Sequence, residues 1–267
     1  MSVIGADLVE FAHRLADASG RAILQHYRSG LVADNKRAAT PGDFDPVTAA
    51  DREAEQVIRA LLHEVHPEHG IIGEEFGSDR ADADYVWVID PIDGTRSFMA
   101  GQPVWGTLIA LLRNSRPVFG MLDQPFLGER FWGDGASATM TGPQGRRTLA
   151  TRRPVQLADA VVWVSSAVWR DPAMAVRVTA LGKAVRMLQT GADCYTVAML
   201  AEGHVDIVIG FGGFEIYDIA AHIPLVAGAG GIVTALDGAD ALHADAMIAG
   251  GDAECHAAAL AVLAGAT

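Results

Sequence analysis

Apolar and polar positions follow a helical spacing over two stretches near the start of the chain. The first covers residues 3–27, and the second, VTAADREAEQVIRALLHEVHP, covers residues 47–67. Thr48 is the expected N-cap of the second helix, with Asp51 three residues later in the manner of a capping box, although Glu or Gln is usual there. Pro67 is expected to end that helix. The buried face predicted for it consists of Val57, Ile58, Leu61, Leu62 and Val65.

Short apolar runs after residue 69 predict a multi-stranded sheet, because turn-forming residues bound each of them. The runs are GIIGEEFG at 70–77, YVWVIDPIDGT at 85–95, VWGTLIALL at 104–112, RPVFGMLDQP at 116–125 and GERFWGDG at 128–135. Two helices followed by such a sheet indicate an α+β lobe, which we assign to residues 1–147.

From about residue 150 strand-like and helix-like segments alternate. The predicted strands are AVVWVSS, VRMLQTG, VDIVIG and IVTAL, and the predicted helices lie at 173–184, 194–204, 216–231 and 253–265. This alternation indicates an α/β lobe, which we assign to residues 148–267. The predicted fold class is α/β, with the α+β N-terminal lobe packed on the α/β C-terminal lobe.

The charge balance argues against nucleic acid as a partner. The 267 residues contain 20 Lys and Arg against 33 Asp and Glu, a net charge of −13, and that field would repel a polyanion. Cys194 and Cys255 form no CxxC unit and are expected to be reduced, partly buried thiols. The N-terminus lacks a basic region followed by an apolar block, and apolar runs such as TLIALL are too short to span a bilayer. We expect a soluble, cytoplasmic protein with no membrane partner.

Acidic residues at the ends of predicted strands and at the start of a late helix are the candidate chemistry. They are Glu74, Glu75, Asp90, Asp93 and Asp218, with Asp51 as a further candidate. In WVIDPIDGTRSF, at 87–98, two carboxylates follow a predicted buried strand, and like charges are costly to bury without a counter-charge. Oxygen ligands without His or Cys at ligand spacing favour magnesium or manganese over zinc.

The Gly94-Thr95 pair after these acids offers a matching anion site. If a helix begins at about residue 95, its first backbone N–H groups are unpaired and could hold a phosphate. Two metals about 3.5–4 Å apart would activate water and stabilise the leaving oxygen, which indicates phosphate monoester hydrolysis. Haloacid dehalogenase phosphatases carry D-x-D-G-T with a nucleophilic Asp, whereas the extra residue of D-P-I-D-G-T disrupts that arrangement. Direct attack by water is therefore favoured over an aspartyl phosphate.

These stretches together resemble the inositol monophosphatase family of magnesium-dependent, lithium-sensitive phosphatases. The matching signatures are DPVTAAD at 45–51, GEE at 73–75, WVIDPIDGTRSF at 87–98 and YDIAAHIPLVAGAGG at 217–231, in the family's order over most of the chain. The resemblance implies the layered αβαβα sugar-phosphatase fold, a small phosphorylated metabolite as substrate and a homodimer. It also implies two to three Mg²⁺ ions, with Mn²⁺ as a substitute and Li⁺ as an inhibitor.

The resemblance implies a metal-binding role for five residues in particular. Glu74, Asp90 and the carbonyl of Ile92 would bind one metal. Asp90, Asp93 and Asp218 would bind the second, so that Asp90 bridges the two ions.

The resemblance implies supporting roles for the remaining candidate residues. Glu75 would help to hold a third, weaker ion through water. Thr95, hydrogen-bonded to Asp51, would orient and polarise the attacking water. The amides of Gly94 and Thr95 would hold the phosphate.

Details within the signatures resemble the histidinol-phosphatase branch. FMAGQPVWGTLIALL at 98–112 and GADCYTVAMLAEGHVDIVI at 191–209 are similar to that branch. Asp193 would suit the ammonium group of histidinol phosphate, the alternative being that it caps the following helix. GFEIYD at 213–218 departs from the branch, which often has a basic residue and a proline there. Glu215 therefore either binds the cationic end of the substrate or is merely exposed.

The resulting hypothesis is hydrolysis of L-histidinol phosphate to L-histidinol and phosphate, a step of histidine biosynthesis. Inositol 1-phosphate is the alternative substrate, fructose 1,6-bisphosphate and adenosine 3′,5′-bisphosphate are weaker ones, and a metal-binding scaffold is the non-enzyme alternative. Trp169 is a candidate wall of the substrate pocket, and Lys36 is a candidate contact of the metal region. His63, His66 and His69 are interpreted as surface residues.

Overall fold

The computed structural model describes residues 4–30, 34–35, 46–191 and 193–265. Its strands are β1 (Asp34–Asn35), β2 (Pro46–Val47), β3 (Gly70–Gly73), β4 (Gly77–Asp79), β5 (Tyr85–Asp93), β6 (Gly106–Arg113), β7 (Arg116–Gln124), β8 (Glu129–Gly133), β9 (Ala138–Gly142), β10 (Gly145–Thr148), β11 (Val161–Val164), β12 (Met187–Thr190), β13 (Ile207–Phe211), β14 (Ile232–Ala235) and β15 (Ala246–Gly250). Its α-helices are α1 (Ala6–Leu24), α2 (Ala49–Val65), α3 (Thr95–Met99), α4 (Pro172–Ala184), α5 (Cys194–Ala201), α6 (Ile216–Ile219), α7 (His222–Gly228) and α8 (Ala253–Leu263). Two 3₁₀ segments, Leu157–Asp159 and Ser166–Arg170, flank β11.

The two predicted N-terminal helices form as α1 and α2. The predicted capping box of α2 is confirmed, because the Thr48 hydroxyl accepts from the first turn while the Thr48 N–H donates to Asp51. The predicted buried face of α2 is only partly correct: Ile58 and Leu62 are buried, but Val65 is exposed. The rest of the buried face consists of Ala50, Asp51, Ala54 and Glu55. A pattern of apolar residues could not indicate this face, because two of its members are carboxylic acids.

The first sheet of the described chain has eight strands in the order β10-β9-β8-β7-β6-β5-β3-β4. Neighbouring strands are antiparallel, except that β3 and β5 run parallel. The β9–β10 hairpin was not among the predicted strands, because β10 is polar and exposed throughout and shows no alternation. The proposed lobe boundary between residues 147 and 148 falls within β10 and remains a prediction.

The second sheet has the order β12-β11-β13-β15-β14. β11 runs parallel to β12 and β13, and β15 runs antiparallel to both of its neighbours. β15 is buried along its whole length but escaped prediction, because a short apolar run has no period that separates strand from helix. The single helix predicted over 216–231 is divided into α6 and α7.

Helices and sheets alternate in layers. α1 and α2 pack on one face of the first sheet, where Phe11 and Leu62 belong to the same core cluster as Trp87. α5, α6 and α7 lie between the sheets, and Val197 of α5 meets Met247 of β15 on the second-sheet side. α4 and α8 cover the outer face of the second sheet. This is the αβαβα layering that the family resemblance implies.

The composition-based predictions concern thiols and membrane spans. Cys194 and Cys255 are free, buried thiols, as their spacing predicts. Within the residues that the structure describes, every helix is too short or too polar to cross a bilayer.

Candidate active site

β5 carries two of the predicted acidic residues at its end, and a bulge changes their directions. Asp90 and Asp93 are three residues apart, but they pair with residues of β6 that are only two apart. In a regular strand, residues three apart point to opposite faces, and one inserted residue brings them to the same side. The Thr107 hydroxyl donates to the carbonyl oxygen of Pro91 at 2.8 Å and so holds the bulged segment in place.

Asp90, Asp93 and Asp218 form a compact cluster of carboxylic acids. One oxygen atom of each lies within 4.8 Å of the others. Asp218 belongs to α6 in the middle layer, so the cluster joins that layer to the first sheet. Glu74, which follows β3, lies close enough to Asp90 to raise its pKa and adds a further carboxyl group to the cluster. The structure therefore brings together the acidic residues predicted to bind the two metals.

Burial and mutual repulsion raise the pKa of each aspartic acid in this cluster. Burial, followed by the charges of Glu74, Asp93 and Asp218, raises the pKa of Asp90 well above its ordinary value. Burial and the charge of Asp193 raise the pKa of Asp93 to about 7. Burial and the charge of Asp93 raise the pKa of Asp218 well above its ordinary value. A bound cation would relieve this repulsion.

The donor set fits a hard divalent cation. Its ligand atoms are carboxylate oxygens, which Mg²⁺ and Mn²⁺ prefer. The Cys194 thiol contacts the carbonyl oxygen of Asp93 at 3.8 Å, but burial raises the pKa of this thiol well above its ordinary value. The thiol therefore stays protonated, and a protonated thiol is a poor ligand for softer metals.

Gly94 turns the chain from β5 into α3. Its φ of +84° is readily adopted only by glycine, and α3 begins at Thr95 as predicted. The Thr95 hydroxyl donates to the carbonyl oxygen of Ile92 at 3.0 Å rather than to Asp51. The Asp51 carboxylate accepts from the N–H and hydroxyl of Thr48 at 2.8 and 2.5 Å. Asp51 thus caps α2 in this structure, and its role in activating water remains a prediction.

Glu55 is a buried acidic residue that the sequence analysis missed. Its side chain is fully buried and accepts from the backbone N–H groups of Glu75 at 2.8 Å and Phe76 at 3.3 Å. Nε of Arg59 donates to the same carboxylate at 2.7 Å. Glu55 therefore anchors the turn that carries Glu74 and the half-buried Glu75. In the sequence, the Glu55–Arg59 spacing looks like an ordinary ion pair on a helix surface.

Asp193 lies beside the acidic cluster. The Ser97 hydroxyl donates to Asp193 Oδ2 at 2.5 Å. Burial raises the pKa of Asp193, while the Ser97 hydroxyl and the positive charge of Arg96 oppose that rise. Asp193 occupies the N-cap position of α5, but its side chain makes no capping hydrogen bond to that helix. The first N–H group of α5, from Cys194, donates instead to Asp93 at 2.9 Å.

Glu215 positions Asp218 and is itself exposed. The Glu215 N–H donates to Asp218 Oδ2 at 2.7 Å, and its own carboxylate accepts from the backbone of α6 in a capping box. This contact gives Glu215 a local structural role. Its predicted contact with substrate remains a prediction.

A cavity of about 270 Å³ surrounds the cluster and brings most of the candidate residues together. The predicted site residues among those lining it are Glu74, Asp90, Ile92, Asp93, Gly94, Thr95, Asp193 and Asp218. Arg96 and Arg170 line the same cavity and supply positive charge that the sequence analysis did not assign. Asp51, Glu75 and Glu215 are not among its lining residues in the described chain.

Trp169 lies outside this cavity, so the prediction that it forms a pocket wall is wrong. Its side chain is 45% exposed, and its indole N–H donates to Thr190 at 3.2 Å. Together with Val176 and Lys183 it lines a separate shallow depression. Lys36 lies outside the described residues.

His66, Glu68 and His69 form a second group with converging ligand atoms. His69 is buried rather than on the surface, and the Trp87 indole N–H donates to its Nδ1 at 3.1 Å. An indole N–H can only donate, so Nδ1 must accept and the neutral ring carries its proton on Nε2. That tautomer offers no free nitrogen to a metal. The group instead packs the edge of the core, with the rings of His66 and His69 stacked at 4.5 Å.

Comparison with known proteins points to phosphatases. Residues 6–266 match the profile of the inositol monophosphatase family. The chain is 39% identical to the chloroplastic bifunctional phosphatase IMPL2 of Arabidopsis thaliana, over 82% of this chain and 62% of that protein. It is 36% identical to the histidinol-phosphatase of Mycobacterium tuberculosis, over 80% of this chain and 83% of that protein. A solved inositol monophosphatase from Zymomonas mobilis has a TM-score of 0.83 and 36% identity, over 98% of this chain and all of that one.

The fold and the matched family together define a phosphoric monoester hydrolase. The chain belongs to the inositol monophosphatase family. The family resemblance seen in the sequence and the layered fold that it implies are both confirmed.

Proposed function

We propose that this protein is a magnesium-dependent phosphatase that hydrolyses L-histidinol phosphate to L-histidinol and phosphate. The observation that carries the proposal is the cluster of Asp90, Asp93 and Asp218, with oxygen atoms within 4.8 Å of one another, beside Asp193 in one cavity. The 36% identity to a histidinol-phosphatase supports the choice of substrate.

The acidic cluster would hold the metal. Glu74, Asp90, Asp93 and Asp218 are the candidate ligands, and the carbonyl oxygen of Ile92 is a further donor. When bound, the cation supplies Lewis acidity toward water and the phosphate ester. The carboxylic acids must be ionised to bind it, so metal binding competes with protons.

The residues around the cluster would bind and orient the phosphate. Gly94 and Thr95, at the turn into α3, line the cavity next to the acids. Arg96 and Arg170 line the same space, and their positive charge offsets a field that would otherwise repel a phosphate dianion.

Asp193 would select the organic part of the substrate. Its carboxylate lies at the edge of the cavity, where it can pair with an ammonium group. Histidinol phosphate carries such a group, and inositol 1-phosphate does not. A polyol would bring no positive charge to this carboxylate and would therefore be disfavoured relative to an amine.

The test is phosphate release from histidinol phosphate, inositol 1-phosphate, fructose 1,6-bisphosphate and adenosine 3′,5′-bisphosphate, each with Mg²⁺ and with EDTA. We expect the highest kcat/KM for histidinol phosphate, and turnover only with Mg²⁺. Turnover that persists in EDTA, or a clear preference for another substrate, would contradict the proposal.

Inositol 1-phosphate is the second candidate substrate. The 36% identity to the inositol monophosphatase of Zymomonas mobilis favours it. The same four substrates decide between the candidates.

We further propose a homodimer in the cytoplasm, replacement of Mg²⁺ by Mn²⁺ and inhibition by Li⁺. Light scattering should give about twice the chain mass of 28.1 kDa.

A further inference from the structure

His222 is a buried residue that none of the roles above uses. It begins α7, is 2% exposed, and its Nδ1 atom is buried without a hydrogen-bond partner among the described residues. A buried polar atom without a partner loses its hydration and gains nothing in return. A leucine of similar size would avoid that loss, which points to a partner from outside the chain.

His222 lines a second cavity, which adjoins the acidic cluster. This cavity, of about 190 Å³, shares Asp93, Asp193 and Asp218 with the space around the cluster. Its apolar walls belong to the core against the second sheet; they include Val197, Val208, Phe214 and Met247. The cavity thus combines the charged residues of the cluster with apolar walls, among which His222, Ser165 and Ser166 supply polar side chains.

The imidazole of His222 is neutral at pH 7. Burial lowers the pKa of His222 to about 4. A neutral imidazole offers one N–H donor and one lone pair. It therefore suits an uncharged group with a complementary donor or acceptor and has little affinity for an ion.

We infer that this cavity binds an uncharged, polar aromatic ring of the substrate, with His222 as the hydrogen-bonding partner of a ring nitrogen. The inference rests on the proposed function and deepens it, because the phosphate would lie at the acidic cluster and the ring between Val197, Val208 and Met247. A cyclic polyol fits poorly, because its hydroxyl groups would lose their hydrogen bonds to water and find no partners on the apolar walls. His222 is thereby a specificity-determining residue.

Histidine NMR with free imidazole as the probe tests the site directly. The chain has nine histidines, and the signals of the His222 ring can be assigned from those absent in His222→Leu. We expect saturable shifts of both ring nitrogens of His222 when imidazole is added, and none with inositol. An unchanged His222 ring in folded protein at saturating imidazole would overturn the inference.

Variants of His222 test its role in specificity. His222→Leu should melt at the same or a higher temperature without substrate, because it removes an unpartnered polar group. Its KM for histidinol phosphate should rise about tenfold, which corresponds to about 1.4 kcal/mol, and its KM for phosphoethanolamine, which has the amine but no ring, should rise much less. His222→Gln keeps a donor and an acceptor and should recover part of the loss. The exposed His204 provides the matched control in His204→Leu, which should leave both KM values unchanged.

The two sets of results separate this inference from the proposed function. If histidinol phosphate is not hydrolysed but imidazole shifts the His222 ring, the function fails and the ring site stands. If histidinol phosphate is hydrolysed and both His222 variants raise the two KM values equally, the ring site fails and the function stands.

Discussion

Asp93 combines two opposing interactions at one side chain. It accepts from the N–H of Cys194 at 2.9 Å, which favours its ionised form. It also lies with Asp90 and Asp218 in a cluster of like charges. Burial and repulsion dominate, which is why the pKa of Asp93 rises to about 7. Near neutral pH the carboxyl group of Asp93 can therefore exchange its proton for a bound cation.

Asp93→Asn should separate metal binding from folding. Asparagine keeps an oxygen that can accept from Cys194 but removes a negative charge, so magnesium-dependent activity should fall about 100-fold or more. The melting temperature in EDTA should stay the same or rise, because one repulsive charge is gone. Phosphate release and thermal melting measure the two effects. Asp82→Asn, at an exposed position, is the control. Full magnesium-dependent turnover in Asp93→Asn would rule out Asp93 as a metal ligand.

Asp193→Ala should affect substrates unequally. The lost carboxylate should raise KM for histidinol phosphate about tenfold more than KM for glycerol 2-phosphate, a difference of about 1.4 kcal/mol. Ser97→Ala removes the hydrogen bond to Asp193 but keeps its charge, so it separates the position of the carboxylate from its presence. Steady-state kinetics on both substrates measure the effect. Equal losses would mean that Asp193 does not contact the amine.

At the scale of the element, α2 supports the turn between β3 and β4. Glu55, on the buried face of this helix, accepts from two backbone N–H groups of the turn. The turn carries Glu74 to the acidic cluster. A helix on one side of the sheet thus orients a candidate metal ligand at the end of β3.

Glu55→Gln should weaken metal binding more than catalysis. Glutamine keeps the shape of the side chain but loses its charge-assisted hydrogen bonds, so the turn becomes less rigid. We expect the Mg²⁺ concentration for half-maximal activity to rise about tenfold, with a smaller change of kcat at saturating Mg²⁺. A magnesium titration of activity measures this. Glu64→Gln, on the exposed face of α2, is the matched control; an equal effect in both variants would exclude a specific role for Glu55.

At the scale of the whole molecule, the site joins two layers. Asp90 and Asp93 belong to the first sheet, and Asp218 belongs to the helices between the sheets. Their charges repel across this boundary when no cation is present. Metal binding should therefore stabilise the whole fold, by about 2.7 kcal/mol at 100 times the Kd.

The sign of the pH dependence follows from the raised pKa values. Between the ordinary pKa of an aspartic acid, 3.8, and about 7, folded metal-free protein binds more protons at Asp93 than unfolded protein does. This group's contribution to the free energy of unfolding therefore falls as the pH rises through that window. Mg²⁺ replaces these protons, so the stabilisation by Mg²⁺ should grow over the same window.

Thermal melting from pH 5 to pH 8, in EDTA and in Mg²⁺, measures this linkage. The gap between the two melting temperatures should widen with pH in the wild type and should widen less in Asp93→Asn. A gap that does not depend on pH would show that the acids do not exchange protons for the cation.

Local features of the sequence determined the helices at the start of the chain, the capping box at Thr48 and the strand that leads to Asp90 and Asp93. Each of these depends on residues within one or two turns, or on alternation along one strand, so the chain itself contains the information. The acidic residues also indicated a hard-metal site, and the resemblance of the four signatures indicated the inositol monophosphatase family.

The tertiary structure decided which partner each polar side chain finds. Glu55 binds a turn from another element, His69 accepts from Trp87, and Trp169 points away from the cavity. His222 ends between apolar walls that come from other parts of the chain. Such outcomes depend on elements far apart in sequence, and the free energy of burying a polar atom is set by whatever those elements place around it.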